Sequence, residues 1–401
     1  MTELKILVIY IFLLIWLIAK KDLGIGLLIS SFVLGISYLK IIDVLKTMFI
    51  TFYKFETLNL IFSLTLIYYF MGIWRNAGRA TLLVKSLEKT INNPYAVLVL
   101  PSALIGLIPI IGGAMISAPL LEDSSYSKRL TPARKIFINY WFRHLWEYIS
   151  PTYGGIILTA TLLKISYAKI FLLNLPLTIT SIIGGILFGL VGLKYDKENK
   201  KKVIEPRIVQ DLFFSILPLV LIIIFAIVFK IELFISISIV IIGMIIIYKI
   251  SLNQSIKIFK ETFTITIISL VWGVMCFKNI IEKTGIITQL SQDFIGWRIP
   301  VILLIFILPF IIGLLTGLTV AYVGITFPLF LQYLTANNYY LPLAYFGGYF
   351  GLLLTPMHYC LSLTREYFNA DWKDVYKILI WPCLLNLVVT LIYTYIMLHF
   401  R

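Results

Sequence analysis

The sequence is short of charge before anything else. Only 13% of its 401 residues are Asp, Glu, Lys or Arg, against about 25% in soluble domains. Its longest polar stretch, Lys194 to Gln210, is the size of a loop, so no soluble domain is expected. Cysteine is scarce too. Cys276, Cys360 and Cys383 sit in apolar segments and form no spaced pair, which indicates neither a disulfide framework nor a metal motif. The three histidines, His144, His358 and His399, include no His-Glu-x-x-His pattern, so a zinc-protease helix is missing. Acidic residues lie mostly at the ends of apolar runs, apart from Glu147, which argues against an intramembrane aspartyl protease. Runs such as Ile239 to Ile247 lack the period-2 alternation of a transmembrane β-barrel.

What is present is apolar length. Hydrophobic residues make up 60% of the chain, in recurring runs near the ~20 residues that cross a bilayer. The fold class is therefore an all-α polytopic membrane protein, multi-pass in the cell (cytoplasmic) membrane. The net charge of +15 sits in short loops, as the positive-inside rule expects, and gives no reason to expect nucleic acid. The apolar N-terminal stretch, Leu4 to Ala19, lacks a basic region longer than Lys5 and a small-residue cleavage site. It reads as a retained first span.

The chain says one thing twice. Residues 139–159 and 344–364 align at an offset of 205, with Tyr140 on Tyr345, Ser150-Pro151 on Thr355-Pro356 and Thr159 on Thr364. Each block follows an apolar stretch broken by Gly and Pro. Paired interrupted segments in two halves point to a secondary transporter and to its binding site. The expected organisation is a first repeat over 1–193, with hairpin 95–121 and interrupted helix 137–163. A basic cytoplasmic linker, 194–210, leads to a second repeat over 211–401, with hairpin 299–330 and interrupted helix 343–363. Amphipathic segments at 41–55, 78–91, 252–262 and 281–293 read as surface connectors.

Length does not say whether the broken stretches cross the membrane or turn back. Charge does. With both as re-entrant hairpins and the N-terminus outside, Lys and Arg divide 22 inside to 11 outside, leaving Arg143 within a span. With both crossing, the division is 15 to 18. The bias favours two inverted repeats, each of about five spans and one hairpin, with both termini outside.

A helix that stops in mid-membrane leaves backbone groups that hydrocarbon cannot satisfy. Pro151 and Pro356 each remove a donor and disfavour helix just before them. Ser150, Thr152 and Thr355 bring hydroxyls to the same places. Helix N-termini there favour an anion, and freed carbonyls favour a cation such as Na+. The hairpin tips supply the facing wall through Pro109, Gly112, Gly113 and Ser117, and through Thr316, Gly317, Thr319, Gly324 and Thr326. His358 lies two positions after Pro356 and is a candidate for the substrate or proton path.

Arg143, His144 and Glu147 sit in an otherwise apolar segment, where ionisable residues are functional candidates by default. Helical spacing puts Arg143 and Glu147 at i,i+4 and His144 and Glu147 at i,i+3. Two readings stand side by side: a structural ion pair, or anion attraction by Arg143 with a coupling proton on Glu147 and His144. Arg143 has no charged counterpart in the second repeat, where Gly348 stands.

The arrangement resembles the ion-transporter superfamily of citrate, dicarboxylate, gluconate, lactate and arsenite carriers. More closely, Gly106-Leu107-Ile108-Pro109 through Gly112-Gly113-Ala114-Met115, with Asn139-Tyr140-Trp141-Phe142-Arg143 and Trp146-Glu147, is similar to an uncharacterised family of prokaryotic membrane proteins in that group. The resemblance covers nearly the whole chain. It implies inverted repeats, a core of two hairpins and two unwound helices, a scaffold that often dimerises and an elevator-like movement. The Ser-Asn-Thr signatures of the dicarboxylate carriers are absent from both tips. The expectation is thus a non-enzymatic secondary transporter for a small organic anion, without a cofactor or resident metal, coupled to H+ or Na+. The alternatives are an intramembrane enzyme using His144, Glu147 and His358, or a passive channel.

Overall fold

The apolar runs become helices whose ends are set by local capping. In a computed structural model, α1 covers Leu23–Ile36, α2 Ile41–Tyr53, α3 Phe55–Asn76, α4 Pro94–Ile105, α5 Ala114–Asp123, α6 Pro132–Arg143, α7 Gly154–Leu163 and α8 Tyr167–Gly189. Then follow α9 Pro206–Ile227, α10 Leu233–Ile247, α11 Leu252–Thr262, α12 Ile265–Thr284, α13 Val301–Thr316, α14 Thr319–Ala336, α15 Leu341–Leu354, α16 Tyr359–Phe368 and α17 Trp372–His399. The structure describes the chain apart from residues 1–7, 10, 14, 17–18, 20, 80–81, 84–85, 87–89, 91–92, 108, 110–112, 194–205, 287–288, 290–299 and 401. Half of the expected first span, most of the linker, and parts of the connectors 78–91 and 281–293 lie outside the described residues.

Five of the described α-helix starts, those of α1, α4, α6, α8 and α11, are marked by polar side chains that accept the first free N–H groups. Asp22 accepts from Ile25 N at 2.9 Å, and Asn93 accepts from Tyr95 N with Pro94 in the first turn. Ser251 and Gln254 form a reciprocal capping box on α11. Two helices end on glycines in the left-handed region, Gly285 at φ 68° and Gly317 at φ 63°, where a side chain would be strained.

Six described helices are long and apolar enough to cross a membrane: α3, α8, α9, α12, α14 and α17. Shorter apolar helices include α1, α4, α7, α10 and α13. No strand occurs among the described residues. Packing follows a reciprocal pattern. Helix α1 lies on α12 and α10 on α3; α2 lies on α12 and α11 on α3; α5 lies on α16 and α14 on α7; α6 lies on α17 and α15 on α8. Helices α8 and α17 pack on each other, and Asn386 Nδ2 donates to Ser181 Oγ at 2.8 Å, positions 205 apart.

Several charged side chains pair across the fold. Glu56 bridges Lys164 at 2.9 Å and Lys278 at 3.7 Å. Lys135 pairs with Glu122 at 2.6 Å, and Arg134 donates to the Val191 carbonyl. Lys164, just beyond α7, has its ammonium held above the usual lysine range by its hydrogen bond to Glu56.

Each hairpin is fastened to the broken helix of its own half by glycine. A Cβ on Gly106 would run into the Arg143 carbonyl, and one on Gly313 into the Gly348 carbonyl. The two contacts correspond, Arg143 and Gly348 being 205 positions apart and Gly106 and Gly313 207. Only hydrogen in place of a side chain lets α4 approach α6, and α13 approach α15, this closely.

Candidate functional site

Both helices break where the Ser/Thr-Pro pairs stand. Helix α6 ends at Arg143 with His144 as its cap. A short 3-10 turn, Trp146–Tyr148, follows, and α7 starts again at Gly154. Helix α15 ends at Leu354, Thr355 takes extended backbone as the residue before Pro356, and α16 starts at Tyr359. The i,i+4 helical relation expected for Arg143 and Glu147 does not form, because the helix stops at Arg143. Glu147 instead lies in the turn, with Oε1 3.7 Å from His144 Nε2.

The carbonyls opened by these breaks are taken by tyrosines from the opposite half. Tyr345 Oη donates to the Glu147 carbonyl at 2.8 Å, and Tyr349 Oη to the His144 carbonyl at 2.7 Å. In return Tyr140 Oη donates to the Leu353 carbonyl at 3.2 Å and sits 3.5 Å from that of Leu352. Tyr140 and Tyr345 are the aligned pair, and so are Glu147 and Leu352. A buried carbonyl stripped of its donor costs about 1–3 kcal/mol. Tyr345→Phe and Tyr140→Phe are each expected to lower the unfolding midpoint in a detergent thermal melt. An unchanged midpoint in both would show that these bonds do not hold the breaks.

Each break also stitches itself to the hairpin of its own half. Trp146 Nε1 donates to the Ala103 carbonyl at 2.7 Å, Tyr153 Oη to that of Gly106 and Thr152 Oγ1 to that of Leu107 at 3.4 Å. These are the carbonyls left open at the C-terminal end of α4. In the second half His358 Nδ1 lies 2.8 Å from the Gly317 carbonyl, which caps α13.

Between the breaks lies a cavity of about 300 Å³. Of the residues singled out in the sequence, Pro109, Arg143, Glu147, Thr152, Thr316, Gly317, Thr319 and His358 line it. The first residues of α7, α14 and α16 open on it as well, through Tyr153-Gly154, Leu318-Thr319-Val320 and His358-Tyr359-Cys360. Gly113 stands where a Cβ would meet the Arg143 guanidinium, so this residue lets the buried arginine reach the hairpin tip.

Other expected site residues lie elsewhere. Ser117 bonds the Ala114 carbonyl within α5. Thr326 bonds the Tyr322 carbonyl within α14, and Gly324 faces Val274 and Leu158. Ser150 is tied to Thr152 Oγ1 at 2.9 Å, with Pro151 beside it in the turn. Thr355 Oγ1 accepts from Met357 N at 3.1 Å, shaping the second break, and Pro356 is exposed. Gly112 is outside the described residues.

The fold brings together His144, Glu147 and His358, grouped in the sequence as the enzyme alternative, and adds Cys360 to them. His144 Nε2 and His358 Nε2 face each other at 3.0 Å although they are 214 positions apart. Cys360 joins them: one donor atom from each of the three lies within 4.8 Å of the others. Cys360 carried no signal beyond standing two residues after His358, next to a break. The chemistry at this point is therefore a pair of imidazoles, a thiol and a nearby carboxylate, with Arg143 lining the same cavity.

Six described helices long and apolar enough to cross a membrane, with two broken helices that meet at a buried cavity, mark an α-helical membrane protein with an internal site. The chain belongs to a family described as protein of unknown function (DUF401), whose model matches residues 3–399. No curated protein matches the chain.

Proposed function

We propose that this protein is a secondary active transporter whose substrate is a small organic anion, bound in the cavity between the two breaks. The observation that carries the reading is the convergence on that cavity of three helix N-termini and the Arg143 guanidinium. Helix starts present unpaired N–H groups and a positive dipole end, and both favour negative charge. Arginine adds a forked set of donors suited to a carboxylate. Thr152, Thr316 and Thr319 offer hydroxyls along the same wall.

The reciprocal helix packing, the aligned tyrosine bonds and the paired glycine contacts support two repeats related by a two-fold axis. Inverted repeats of this kind place substrate at the repeat interface and open it alternately to the two sides. In this reading the hairpins α4–α5 and α13–α14 re-enter the membrane. The core of hairpins and broken helices moves as an elevator against the scaffold of the remaining helices. Both termini face outside, and the protein works as a homodimer within the ion-transporter superfamily. H+ or Na+ supplies the coupling.

A thermal-shift screen against mono-, di- and tricarboxylates, sugar acids, amino acids and inorganic oxyanions, with and without Na+ and at two pH values, tests this. An anion present at 100 times its Kd adds about 2.7 kcal/mol of stability. Silence across the panel removes the organic-anion carrier reading. With a responding anion in hand, Gly113→Leu and Pro356→Ala are expected to abolish its uptake into proteoliposomes while membrane insertion persists. The first fills the space of the Arg143 side chain and the second removes the residue that forces the break between α15 and α16. Wild-type uptake by both variants would refute the site.

A further inference from the structure

We infer that His144, His358 and Cys360, together with the Glu147 carboxylate, form a binding site for a transition-metal cation of the Zn2+ class. The site goes beyond the transport reading and does not rest on it.

The orientation of the two imidazoles carries the argument. His144 Nδ1 is within hydrogen-bond distance of the Tyr140 carbonyl, and His358 Nδ1 is 2.8 Å from the Gly317 carbonyl. A carbonyl only accepts, so each Nδ1 carries the proton and each neutral ring presents its Nε2 lone pair. Those lone pairs point at each other across 3.0 Å. Two lone pairs at that distance repel unless a cation stands between or beside them. Backbone carbonyls that fix the far nitrogen of a histidine are the usual outer partners of a metal-ligating imidazole.

The remaining donors select the kind of cation. Cys360 supplies sulfur within the same 4.8 Å group, and Glu147 Oε1 lies 3.7 Å from His144 Nε2. Two imidazoles and one thiolate make a donor set typical of Zn2+ and unlike the all-oxygen sets of Mg2+ or Ca2+, and Glu147, outside the 4.8 Å group, is the carboxylate that would complete it. Zn–N bonds of about 2.0–2.1 Å in a tetrahedron separate two nitrogens by about 3.3 Å, close to the spacing found here. On ligation the Cys360 thiol gives its proton to solvent as the metal–sulfur bond forms, while both Nε2 atoms bind without losing one. A divalent ion with one thiolate and one carboxylate is neutral as a set, and the Arg143 guanidinium on the same cavity adds one positive charge. Glu147, His358 and Cys360 line the cavity, so an ion has a way in.

The four residues are also singular in the repeat. At the offset of 205, His144 falls on Tyr349, Glu147 on Leu352, His358 on Tyr153 and Cys360 on Gly155. The frame around the breaks is duplicated, and the metal-binding chemistry is not.

The test is a Co2+ titration of the full-length protein, purified through a tag without histidine and stripped with chelator. Wild type is expected to bind one Co2+ per chain and develop visible ligand-field bands of a tetrahedral ion together with a near-ultraviolet sulfur-to-cobalt band. Added Zn2+ should bleach both. Cys360→Ser should lose the sulfur band and weaken binding by at least ~10-fold, a loss that even outer-sphere changes reach. Cys276→Ser and Cys383→Ser should keep the full spectrum. A wild-type protein silent to Co2+ and Zn2+ would overturn the proposal and leave the imidazoles sharing a proton. A sulfur band that survives in Cys360→Ser would overturn it too. Neither outcome depends on finding a transported anion, so this proposal and the carrier reading fail separately.

Discussion

Arg143→Gln is expected to reach the membrane and fold, yet to lose its response to whichever anion stabilises the wild type. The residue is almost fully buried at 2% exposure, ends α6 and lines the cavity on which three helix starts open. Truncating one partner of a buried charged contact typically costs about 2–5 kcal/mol. The Kd should therefore rise about 30-fold or more. Arg143→Lys separates charge from geometry, since an ammonium keeps the sign but lacks the guanidinium fork. It should retain part of the affinity for a monoanion and less for a carboxylate held by two donors. Both constants are read from anion titrations of the thermal midpoint. Wild-type affinity in Arg143→Gln would refute the role given to this residue and, with it, the anion reading of the cavity.

Gly313→Leu should be the most damaging change to assembly. Its Cβ would need space held by the Gly348 carbonyl, a backbone atom that cannot swing aside. Helices α13 and α15 must then separate, and with them the apolar contact that carries the second hairpin. Overpacking a core commonly costs 1–3 kcal/mol or somewhat more, and here the obstacle is backbone on both sides. The yield of monodisperse protein after detergent extraction should collapse, while Gly243→Leu, at a position with open space around its Cβ, should extract like wild type. Gly106→Leu should behave as Gly313→Leu does, because its obstacle is the equivalent carbonyl of Arg143. Normal extraction of both hairpin variants would mean that the two glycine contacts do not hold the hairpins.

Much of the fold was legible in the residues because its signals are local. The recurring apolar runs of bilayer-crossing length become helices such as α3, α8, α9 and α17. The breaks at Ser150-Pro151 and Thr355-Pro356 separate α6 from α7 and α15 from α16, as proline and its preceding residue require. The hydroxyls were harder. Thr316 and Thr326 look alike in sequence, and each bonds a carbonyl of its own helix, yet Thr316 lines the cavity and Thr326 does not. Which side of a helix faces a cavity depends on its partners, not on its own composition.

The sequence by itself determined that this chain is a bundle of apolar helices, that residues 139–159 and 344–364 align at an offset of 205 and that each of these segments breaks at a Ser/Thr-Pro pair. Hydrophobic length and the missing N–H of proline act within a few residues, so they can be read along the chain. Tertiary structure alone decided that Tyr345 satisfies the Glu147 carbonyl, and that His144 meets His358 and Cys360 across more than 200 positions. It also decided that Arg143 reaches past Gly113. These contacts arise where one half of the chain closes on the other, and no pattern within either half records the distance between them.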